Sequence, residues 1–294
     1  MHQSAIDQPE YIASLLKILA KRAEFELERT KYEADLKAVN EELLAKNQEL
    51  TNRNAELASF SYVASHDLQE PLRKIRSFGD RLKVAYAPNL DEEGADIIDR
   101  MVLAAKRMSL LIKDLLDYSR LTLQSDTWRP QPLGEIVESV ANELDITIQE
   151  SGAQIDIDEL ATVPGDESQL RQLFQNLLSN ALKFTKPDCA PHIRIRSTQI
   201  KRSDLPAEFL LLAAPSDYAL IEVTDNGIGF DAQHAERIFG TFQRLHGQGK
   251  YPGTGIGLAI AKKITENHRG YIKASSHPGQ GATFFVYLPT QHIA

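Results

Sequence analysis

The chain has 294 residues, of which 42% are hydrophobic and 25% are charged, and its formal net charge is -8. This length leaves room for about two folded domains, and the acidic excess argues against a general nucleic-acid binder. The single cysteine, Cys189, excludes a disulfide-stapled fold and a cysteine-rich zinc site. No apolar run approaches the ~20 residues that span a bilayer, so we expect no membrane span and a cytoplasmic location.

A long N-terminal helix is predicted from residue 10 to about residue 86, because this stretch has no glycine before Gly79 and no proline between Pro9 and Pro71. Within it, leucines recur every seventh residue and asparagines stand three residues ahead of them, the two series being Leu36, Leu43, Leu50, Leu57 and Asn40, Asn47, Asn54. Leucine at heptad position d with asparagine at a is typical of a parallel two-stranded coiled coil. The alternative is a single solvated helix with a leucine stripe.

A helical hairpin is predicted next. The same heptad frame places His66 at f, the most exposed position, and continues along an inner seam of Ala64, Leu68, Ile75, Phe78 and Leu82. Pro88 and Asn89 break the helix, and a second apolar stripe follows in steps of four and three residues, formed by Ile97, Met101, Ala104, Met108, Leu111, Leu115 and Tyr118. Two such hairpins make a four-helix bundle, so we expect a homodimer. Gln124 to Pro132 is interpreted as a linker.

From Leu133 onward the hydrophobic period changes repeatedly between that of helices and that of strands. The predicted helices are Gly134 to Glu150, Ser168 to Phe184 behind an Asp166 cap, and Gly257 to Asn267. The predicted strands are Gln154 to Ile157, His192 to Thr198, Tyr218 to Thr224, Tyr271 to Ser275 and Thr283 to Leu288. Several helices with one mostly antiparallel or mixed sheet predict a two-layer α/β sandwich. The pattern gives no account of residues 201–216, which are interpreted as an insertion.

The first segment that indicates chemistry contains His66 and Asp67. A neutral imidazole can attack phosphorus through one ring nitrogen when a carboxylate holds the N–H of the other. Asp67 is placed to do this. Taken alone, however, an exposed His-Asp pair is ordinary protein surface.

The second segment places Asn176, Asn180 and Lys183 at i, i+4 and i+7 on one face of a predicted helix. Amide oxygens suit Mg²⁺, which keeps several waters and completes its shell with phosphates, and a lysine can contact phosphate oxygens. A polar solvent face is the alternative. Two asparagines on one face favour a function, because asparagine is a poor helix former.

The third segment begins with Asp225, directly after a predicted strand, and continues through Gly227 and Gly229. The glycines permit a tight turn and close approach of a ligand, and a buried carboxylate can accept a hydrogen bond from an adenine amino group. As a bare pattern of one aspartate and two glycines it fits any turn.

Two further glycine-rich segments follow. The fourth segment contains Gly253, Gly255 and Gly257 and leads into a predicted helix. The N–H groups at the start of a helix favour phosphate. The segment lacks the Gly-Lys-Ser/Thr ending of a P-loop and does not lie in a strand–loop–helix unit that binds dinucleotides. Both of these types of nucleotide site are therefore excluded. The fifth is Gly279 to Phe284, a turn that leads into the last strand, and the preceding stretch Ile238 to Pro252 is interpreted as a mobile lid.

Together these segments resemble the sequence boxes of sensor histidine kinases, in the family's order. His66 to Leu72 is similar to the H box, Asn176 to Phe184 to the N box, Asp225 to Phe230 to G1, Phe239 to Phe242 to the F box, Gly253 to Gly257 to G2, and Gly279 to Phe284 to the final glycine box. The resemblance covers about Ala58 to Pro289. Within the family, the sequence of these segments is similar to the phytochrome-associated branch. It implies an α+β chain with a Bergerat-type ATP-binding domain beside a dimerisation and phosphotransfer bundle. The predicted domains are a signalling helix and coiled coil (1–57), the hairpin (58–123), the linker (124–132) and the ATP-binding domain (133–294).

The resemblance also implies roles and partners. His66 would be the phosphoacceptor and Asp67 its orienting base. The implied contacts to Mg-ATP are Asn176 and Asn180 for Mg²⁺, Lys183 for the phosphates, Asp225 with Thr283 for adenine, and the glycines Gly227, Gly229, Gly253, Gly255 and Gly257. The phosphoryl group would then pass to an aspartate of a separate response-regulator receiver domain. A sensor module would lie upstream or on another protein, and the signal is not predicted.

One departure from the family pattern concerns Glu70, since the family often has Thr, Asn or Gln four residues after the histidine. This puts a phosphatase activity toward the regulator in doubt, but not the kinase activity.

Two alternative functions stay open: a nucleotide-binding scaffold that has lost transfer, and a Bergerat ATPase resembling gyrase or the mismatch-repair proteins. The histidine segment on a dimeric hairpin disfavours the ATPase, and the complete set of site residues disfavours the scaffold.

Overall fold

The structure, a computed structural model, describes residues 9–86, 91–121, 128–187, 189–210, 217–245, 251 and 253–291, and side chains within these ranges except those of 9–11, 51 and 54–66. The predicted helix break at Pro88 and Asn89 lies outside the described residues. So do parts of the predicted linker, insertion and lid. The chain divides into two units, Met1–Leu57 and Ala58–Ala294.

Helix α1 covers Pro9–Tyr86 without interruption, which confirms the predicted long helix. In the first unit, the heptad residues Leu36, Leu43 and Leu50 are exposed, and ion pairs one turn apart, such as Arg29 with Glu33 at 2.8 Å, decorate the surface. Such pairs contribute little stability. Among the described residues, no helix is long and apolar enough to cross a bilayer.

The second unit begins with the helical hairpin, in which the last part of α1 runs antiparallel to α2 (Glu92–Arg120). The Asp91 side chain caps α2 by accepting a hydrogen bond from the Gly94 N–H at 2.8 Å. Gly79 brings the two helices together, because a Cβ there would lie 2.4 Å from Cγ2 of Val102. The predicted hairpin is therefore confirmed.

The contact within one hairpin differs from the predicted seam. The residues that it buries are Leu72, Ile98, Ala105 and Leu116. The predicted seam and stripe remain largely exposed in the single chain, at Leu68, Ile75, Phe78, Leu82, Ile97, Met101, Met108 and Leu115. Ile98 and Ala105 each lie one residue beyond a predicted stripe position, so α2 uses one face within the chain and presents a neighbouring apolar face to the outside.

The rest of the second unit is an α/β domain. Its helices are α3 (Leu133–Glu143), α4 (Asp145–Ser151), α5 (Glu167–Lys183), α6 (Ala207–Leu210) and α7 (Gly257–Asn267), with 3-10 turns at Arg202–Asp204, Ala232–His234 and Arg237–Phe239. Its strands are β1 (Arg129–Pro132), β2 (Gln154–Ile157), β3 (Thr162–Gly165), β4 (His192–Lys201), β5 (Asp217–Asp225), β6 (Tyr271–His277) and β7 (Gly281–Pro289).

Five strands form the main sheet in the order β2-β4-β5-β7-β6. The β2–β4 pair is parallel, and the other pairs are antiparallel. One face of the sheet packs against α3, α5 and α7, and the residues buried between them include Leu173, Leu177, Ile195, Ile221, Ile260, Ile264 and Val286. Alternation along β5 and β7 places every second side chain in this core. The predicted two-layer α/β sandwich is confirmed.

Two predicted boundaries are wrong. The helix predicted from Gly134 to Glu150 is two helices that meet at Leu144, whose backbone leaves the helical region with φ -96° and ψ 5°. Asp145 then starts α4 and accepts a hydrogen bond from Gln149 Nε2 at 2.7 Å, which stabilises a new helix start. The last four residues of the predicted linker are not a linker, because they form β1 and pair antiparallel with β3.

The second half of the predicted linker is anchored on the C-terminal end of α7. The Trp128 ring stacks on the His268 ring with their centroids 5.2 Å apart. His268 is buried, and its Nε2 accepts a hydrogen bond from the Asp166 N–H at 3.0 Å while Nδ1 lies 2.8 Å from the Ile264 carbonyl oxygen. Since Nε2 must be unprotonated to accept, burial and this hydrogen bond fit a neutral ring, and burial lowers the pKa of His268.

The described part of the predicted insertion covers the other face of the sheet. Phe209 of α6 stacks on Tyr271 with centroids 5.3 Å apart and meets Tyr218 edge-on at 5.4 Å. Leu205 and Tyr287 complete this small buried cluster. The insertion thus shields apolar side chains that the sheet presents away from its main core.

Candidate functional site

One cavity opens at the ends of β5 and β7, between the C-terminal half of α5 and the glycine-rich stretch before α7. Its lining residues are Asn180, Lys183, Phe184, Asp225, Ile228, Gly229, Phe230, Ile238, Arg244, Leu245, Tyr251, Gly253, Gly255, Leu258, Ala282 and Phe284. Apolar side chains form most of the wall, and the polar groups converge from three separate parts of the chain. This combination is typical of a small-molecule site.

Asp225, the last residue of β5, supplies the carboxylate of the cavity. Its Oδ1 accepts hydrogen bonds from the N–H groups of Gly227 at 2.8 Å and Ala282 at 3.2 Å. Burial raises the pKa of this carboxyl, while the two N–H donors oppose the rise by stabilising the charged form. Both hydrogen bonds reach Oδ1, so Oδ2 is the oxygen that a ligand can address; none of the described residues donates to it.

The turn after Asp225 requires glycine for two separate reasons. At Gly229 φ is +62°, and a Cβ would lie 2.1 Å from the His277 carbonyl oxygen. At Gly227 a Cβ would lie 2.2 Å from the carbonyl oxygen of Phe184, the residue that caps α5. The predicted glycine turn therefore packs closely against α5 and against the turn between β6 and β7, and so fixes the position of Asp225. Gly227 itself does not line the cavity.

The polar face of α5 approaches the glycine-rich stretch. Asn180 and Lys183 line the cavity, whereas Asn176 lies beside the start of α7: its Oδ1 is 2.9 Å from the place of a Cβ on Gly257. Asn176 Nδ2 donates to the Gln172 carbonyl oxygen at 2.9 Å, so Oδ1 is the side-chain atom that can accept another contact. The three predicted residues thus share one face of α5, as their spacing indicated.

Two cations meet near this face. The Lys183 ammonium lies 4.3 Å from the centre of the Phe184 ring, and a Cβ on Gly253 would come within 2.6 Å of its Nζ. Burial, followed by the nearby charge of Arg244, lowers the pKa of Lys183. An anion placed between these cations would relieve both effects.

Arg244 is a residue that the sequence analysis did not single out. Its guanidinium donates to the carbonyl oxygens of Gly253 and Tyr251, each at 2.9 Å, and it lines the cavity. The Tyr251 ring lies 5.2 Å from that of Phe184. Its position in the sequence, between aromatic residues and close to the glycine-rich stretch, could have indicated a role in the site. It was not singled out because the whole segment from Ile238 to Pro252 was interpreted as a lid.

The side chain of Thr283, a predicted site residue, is directed away from the cavity. Its hydroxyl pairs with that of Thr224 at 3.1 Å across the β5–β7 ladder. Because side chains alternate along a strand, the cavity is lined by Ala282 and Phe284 instead. The backbone N–H of Ala282, and not the Thr283 hydroxyl, contacts Asp225.

His66 and Asp67 lie on α1, in the hairpin. Asp67 is exposed, and the His66 side chain lies outside the described residues. Neither belongs to the described lining of the cavity. Of the predicted nucleotide contacts, the structure brings six together around the cavity: Asn180, Lys183, Asp225, Gly229, Gly253 and Gly255. The predicted acceptor lies in the helical hairpin, outside the α/β domain that forms the cavity.

The comparisons with known families match both parts. Residues 56–124 match the His Kinase A (phospho-acceptor) domain, and residues 165–292 match the histidine kinase-, DNA gyrase B- and HSP90-like ATPase domain. The first range contains His66, and the second contains every residue that lines the cavity. The chain carries a sensor histidine kinase transmitter module. Its ATPase domain implies ATP binding, and its phosphoacceptor domain implies dimerisation and a response-regulator partner in general terms.

Curated relatives agree with this membership. The chain is 40% identical over 230 residues to the phytochrome-like protein Cph1 of Synechocystis. This alignment covers 78% of this chain and 29% of that protein. Cyanobacterial phytochrome A of Nostoc is also 40% identical over 230 residues, covering 78% of this chain and 28% of that protein. The chain thus spans less than a third of these relatives. The structure of full-length ShkA in complex with AMPPNP shares the fold, with a TM-score of 0.58 and 23% identity over 80% of this chain and 46% of that one.

Proposed function

We propose that this transmitter module uses Mg-ATP to phosphorylate His66 and passes the phosphoryl group to an aspartate of a response-regulator receiver domain. The observation that carries the proposal is the cavity on which Asp225, Lys183 and Asn180 converge, in a chain whose other matched domain contains His66. A cavity alone would fit a scaffold or an ATPase equally well.

The apolar part of the cavity lining suits adenine. Asp225 Oδ2 can accept a hydrogen bond from the exocyclic amino group, while the apolar side chains of Ile228, Phe230 and Phe284 would exclude water from the ring faces. Ala282 leaves space beside the carboxylate that a larger side chain would fill. We therefore assign adenine recognition to Asp225 and the main chain around it, without Thr283.

The cationic part of the cavity lining suits the phosphates. Lys183 and Arg244 supply positive charge, and the first turn of α7 at Gly257 presents backbone N–H groups. The donor set also fits Mg²⁺: Asn176 Oδ1 and Asn180 offer neutral oxygens, and Mg²⁺ takes few protein ligands when phosphates complete its shell. When bound, the ion would neutralise charge on the transferred group. The described residues contain no cluster of three acidic, histidine or cysteine ligands.

The acceptor chemistry belongs to His66 and Asp67. One nitrogen of the neutral imidazole forms a bond to the γ-phosphorus while the bond between that phosphorus and the bridging oxygen breaks, and ADP leaves with the electron pair. Asp67 holds the N–H of the other ring nitrogen and stabilises the positive charge that develops on the ring. The proton on this second ring nitrogen stays in place during the step.

Labelling with γ-³²P ATP tests the proposed function against its two alternatives. Acid-labile, alkali-stable label on the protein supports the kinase. Release of free phosphate without protein label identifies an ATPase, and binding without either result identifies a scaffold. Either of the last two results contradicts the proposal.

We also propose that the module acts as a parallel homodimer through residues 36–123. Two apolar stripes support it, because Leu68 is 53% exposed, Phe78 58% and Ile97 57% in the single chain, and monomers rarely expose contiguous stripes of this kind. Light scattering at micromolar concentration should give the dimer mass.

Replacing Phe78 by Asp should weaken the dimer at least about tenfold, since burial of such a side chain is worth about 1.5–3 kcal/mol. Val84→Asp is the control, because Val84 is 85% exposed and lies off the predicted seam. A wild-type monomer mass would contradict the dimer, and equal effects of the two substitutions would contradict the seam.

Glu70 bears on the return reaction, in which a kinase dephosphorylates its regulator. It lies one helical turn beyond His66, and its Oε1 is 3.0 Å from Lys74 Nζ, with both side chains more than half exposed. Surface pairs of this kind are screened and weak. The carboxylate would therefore still repel the phosphoryl-aspartate of a regulator and cannot donate a hydrogen bond to the attacking water.

Glu70→Gln or Glu70→Thr should raise regulator dephosphorylation about fivefold while His66 labelling persists. This corresponds to the roughly 1 kcal/mol between two unit charges about 4 Å apart in water. The assay follows loss of label from a phosphorylated regulator in the presence of ADP. Lys74→Gln, which keeps Glu70, should not raise the rate. Wild-type dephosphorylation as fast as that of the Glu70→Gln variant would show that the carboxylate is no obstacle.

A further inference from the structure

Helix α7, which begins at the glycine-rich stretch of the cavity, also contacts the hairpin. Leu121, just after the end of α2, belongs to the core of the α/β domain, and Leu111 and Tyr118 of α2 pack against that core. At the far end of α7, Asn267 Nδ2 donates to the Leu121 carbonyl oxygen at 2.7 Å. The α/β domain is thus docked on the C-terminal half of α2.

A second polar contact lies at the cavity end of this docking surface. The Thr254 hydroxyl donates a hydrogen bond to Oδ2 of Asp114 on α2. Thr254 stands between Gly253 and Gly255, which both line the cavity, and its Oγ1 also lies 3.4 Å from the N–H of Ile256 at the start of α7. The glycine-rich stretch is therefore tied to the hairpin by this hydrogen bond.

The contact uses the only proton that the Thr254 hydroxyl can donate. A phosphate oxygen bound at the start of α7 would compete for the same proton. It would also bring negative charge next to the Asp114 carboxylate, which already has Asp117 near it and is half-buried. Burial raises the pKa of Asp114, so the docked carboxylate has little spare solvation with which to tolerate another anion.

We propose that Asp114 is a nucleotide-sensitive latch: it holds the glycine-rich stretch on α2 through Thr254, and the phosphates of ATP displace it. The inference rests on the proposed ATP site. Binding of nucleotide then frees the cavity end of α7 from the hairpin, while the contact of Asn267 with Leu121 at the other end can persist as a pivot. The latch couples occupancy of the cavity to release of the domain that must deliver phosphate to His66.

Linkage requires the converse effect. If phosphates break the contact between Asp114 and Thr254, then removal of the Asp114 carboxylate must raise the affinity for nucleotides that carry phosphates. Adenosine, which lacks them, does not reach Thr254 and should bind equally well to both proteins. A residue that only positions the docked domain would behave differently, because its loss would lower the labelling rate at saturating ATP without a gain in affinity.

The test compares wild type, Asp114→Ala and Asp114→Asn by calorimetry with ADP, AMPPNP and adenosine in the presence of Mg²⁺. Asp114→Ala should bind AMPPNP and ADP about three- to tenfold more tightly, as expected when one half-exposed hydrogen bond of ordinary net strength no longer competes. Asp114→Asn keeps an acceptor but loses the charge, so its gain should be smaller. Asp117→Asn is the matched control, one helical turn away and without a bond to Thr254, and its affinities should change less than about twofold.

Three outcomes would overturn the latch. They are unchanged or weaker AMPPNP binding by Asp114→Ala at wild-type melting temperature, an equal gain in adenosine binding, and a gain of the same size in Asp117→Asn. If Asp114→Ala melts at a lower temperature, Asp114→Asn decides, and absence of any gain in that variant also overturns it. A wild type that binds no nucleotide at all contradicts the proposed function first, and so is distinguishable from failure of the latch alone.

Discussion

Replacing His66 by Gln is expected to abolish autophosphorylation completely and to leave the affinity for ATP within about twofold of wild type. Glutamine has no ring nitrogen that can form a bond to phosphorus, so no slower version of the same reaction remains. The affinity should persist because His66 lies in the matched phosphoacceptor domain, while all residues lining the cavity lie in the matched ATPase domain. Labelling with γ-³²P ATP and calorimetry with ADP measure the two quantities.

The matched control is His192→Gln. His192 lies on β4, where its Nε2 is 2.7 Å from Asp156 Oδ2 on the protein surface, and it does not line the cavity. This variant should be labelled at the wild-type rate. Label retained on the His66 variant would move the acceptor to another residue.

Asp225→Asn is expected to weaken ATP binding by about 1–3 kcal/mol, or roughly five- to 150-fold. The substitution is nearly isosteric, and the amide oxygen can still accept from Gly227 and Ala282 as Oδ1 does now. The NH₂ group then replaces Oδ2. A donor faces the donor of the adenine amino group, and a buried acceptor is lost where the ligand needs one.

Asp231→Asn makes the same chemical change outside the cavity. Asp231 caps a short turn by accepting from the Gln233 N–H at 3.0 Å, a role that asparagine also performs. Calorimetry with ADP should therefore give wild-type affinity for Asp231→Asn and the predicted loss for Asp225→Asn. An unchanged dissociation constant in Asp225→Asn would remove this carboxylate from the adenine site.

The parts of the fold that follow a regular period could be predicted from sequence. The helix from Gly257 to Asn267 has the predicted limits, and α5 differs by one residue at each end, with Asp166 as its cap. Both helices combine an apolar stripe with a clear start, a capping aspartate or a glycine-rich stretch. The polar face of α5 followed from the same spacing.

The parts that depend on distant partners could not be predicted. Strand β1 is four residues long and contains two prolines, so only its pairing with β3 makes it a strand. Thr283 was placed in the site because a motif does not tell which face of a strand points inward, and the register of β7 against β5 decides this. The contact of Asp114 with Thr254 joins residues 140 positions apart.

The central claim, transfer of the γ-phosphoryl group to His66, is tested most directly by mapping the phosphoryl group on the wild-type protein. Trypsin should release residues 54–73 as one peptide, because no Lys or Arg lies between Arg53 and Arg73. This peptide contains one histidine and several residues that could carry phosphate instead, among them Ser65 and Asp67. After incubation with Mg-ATP and digestion under non-acidic conditions, fragmentation should place the phosphoryl group on His66, and omission of Mg²⁺ should prevent it. A phosphoryl group on Ser65, on Asp67 or on any other peptide would contradict the account, as would phosphate release with no modified peptide.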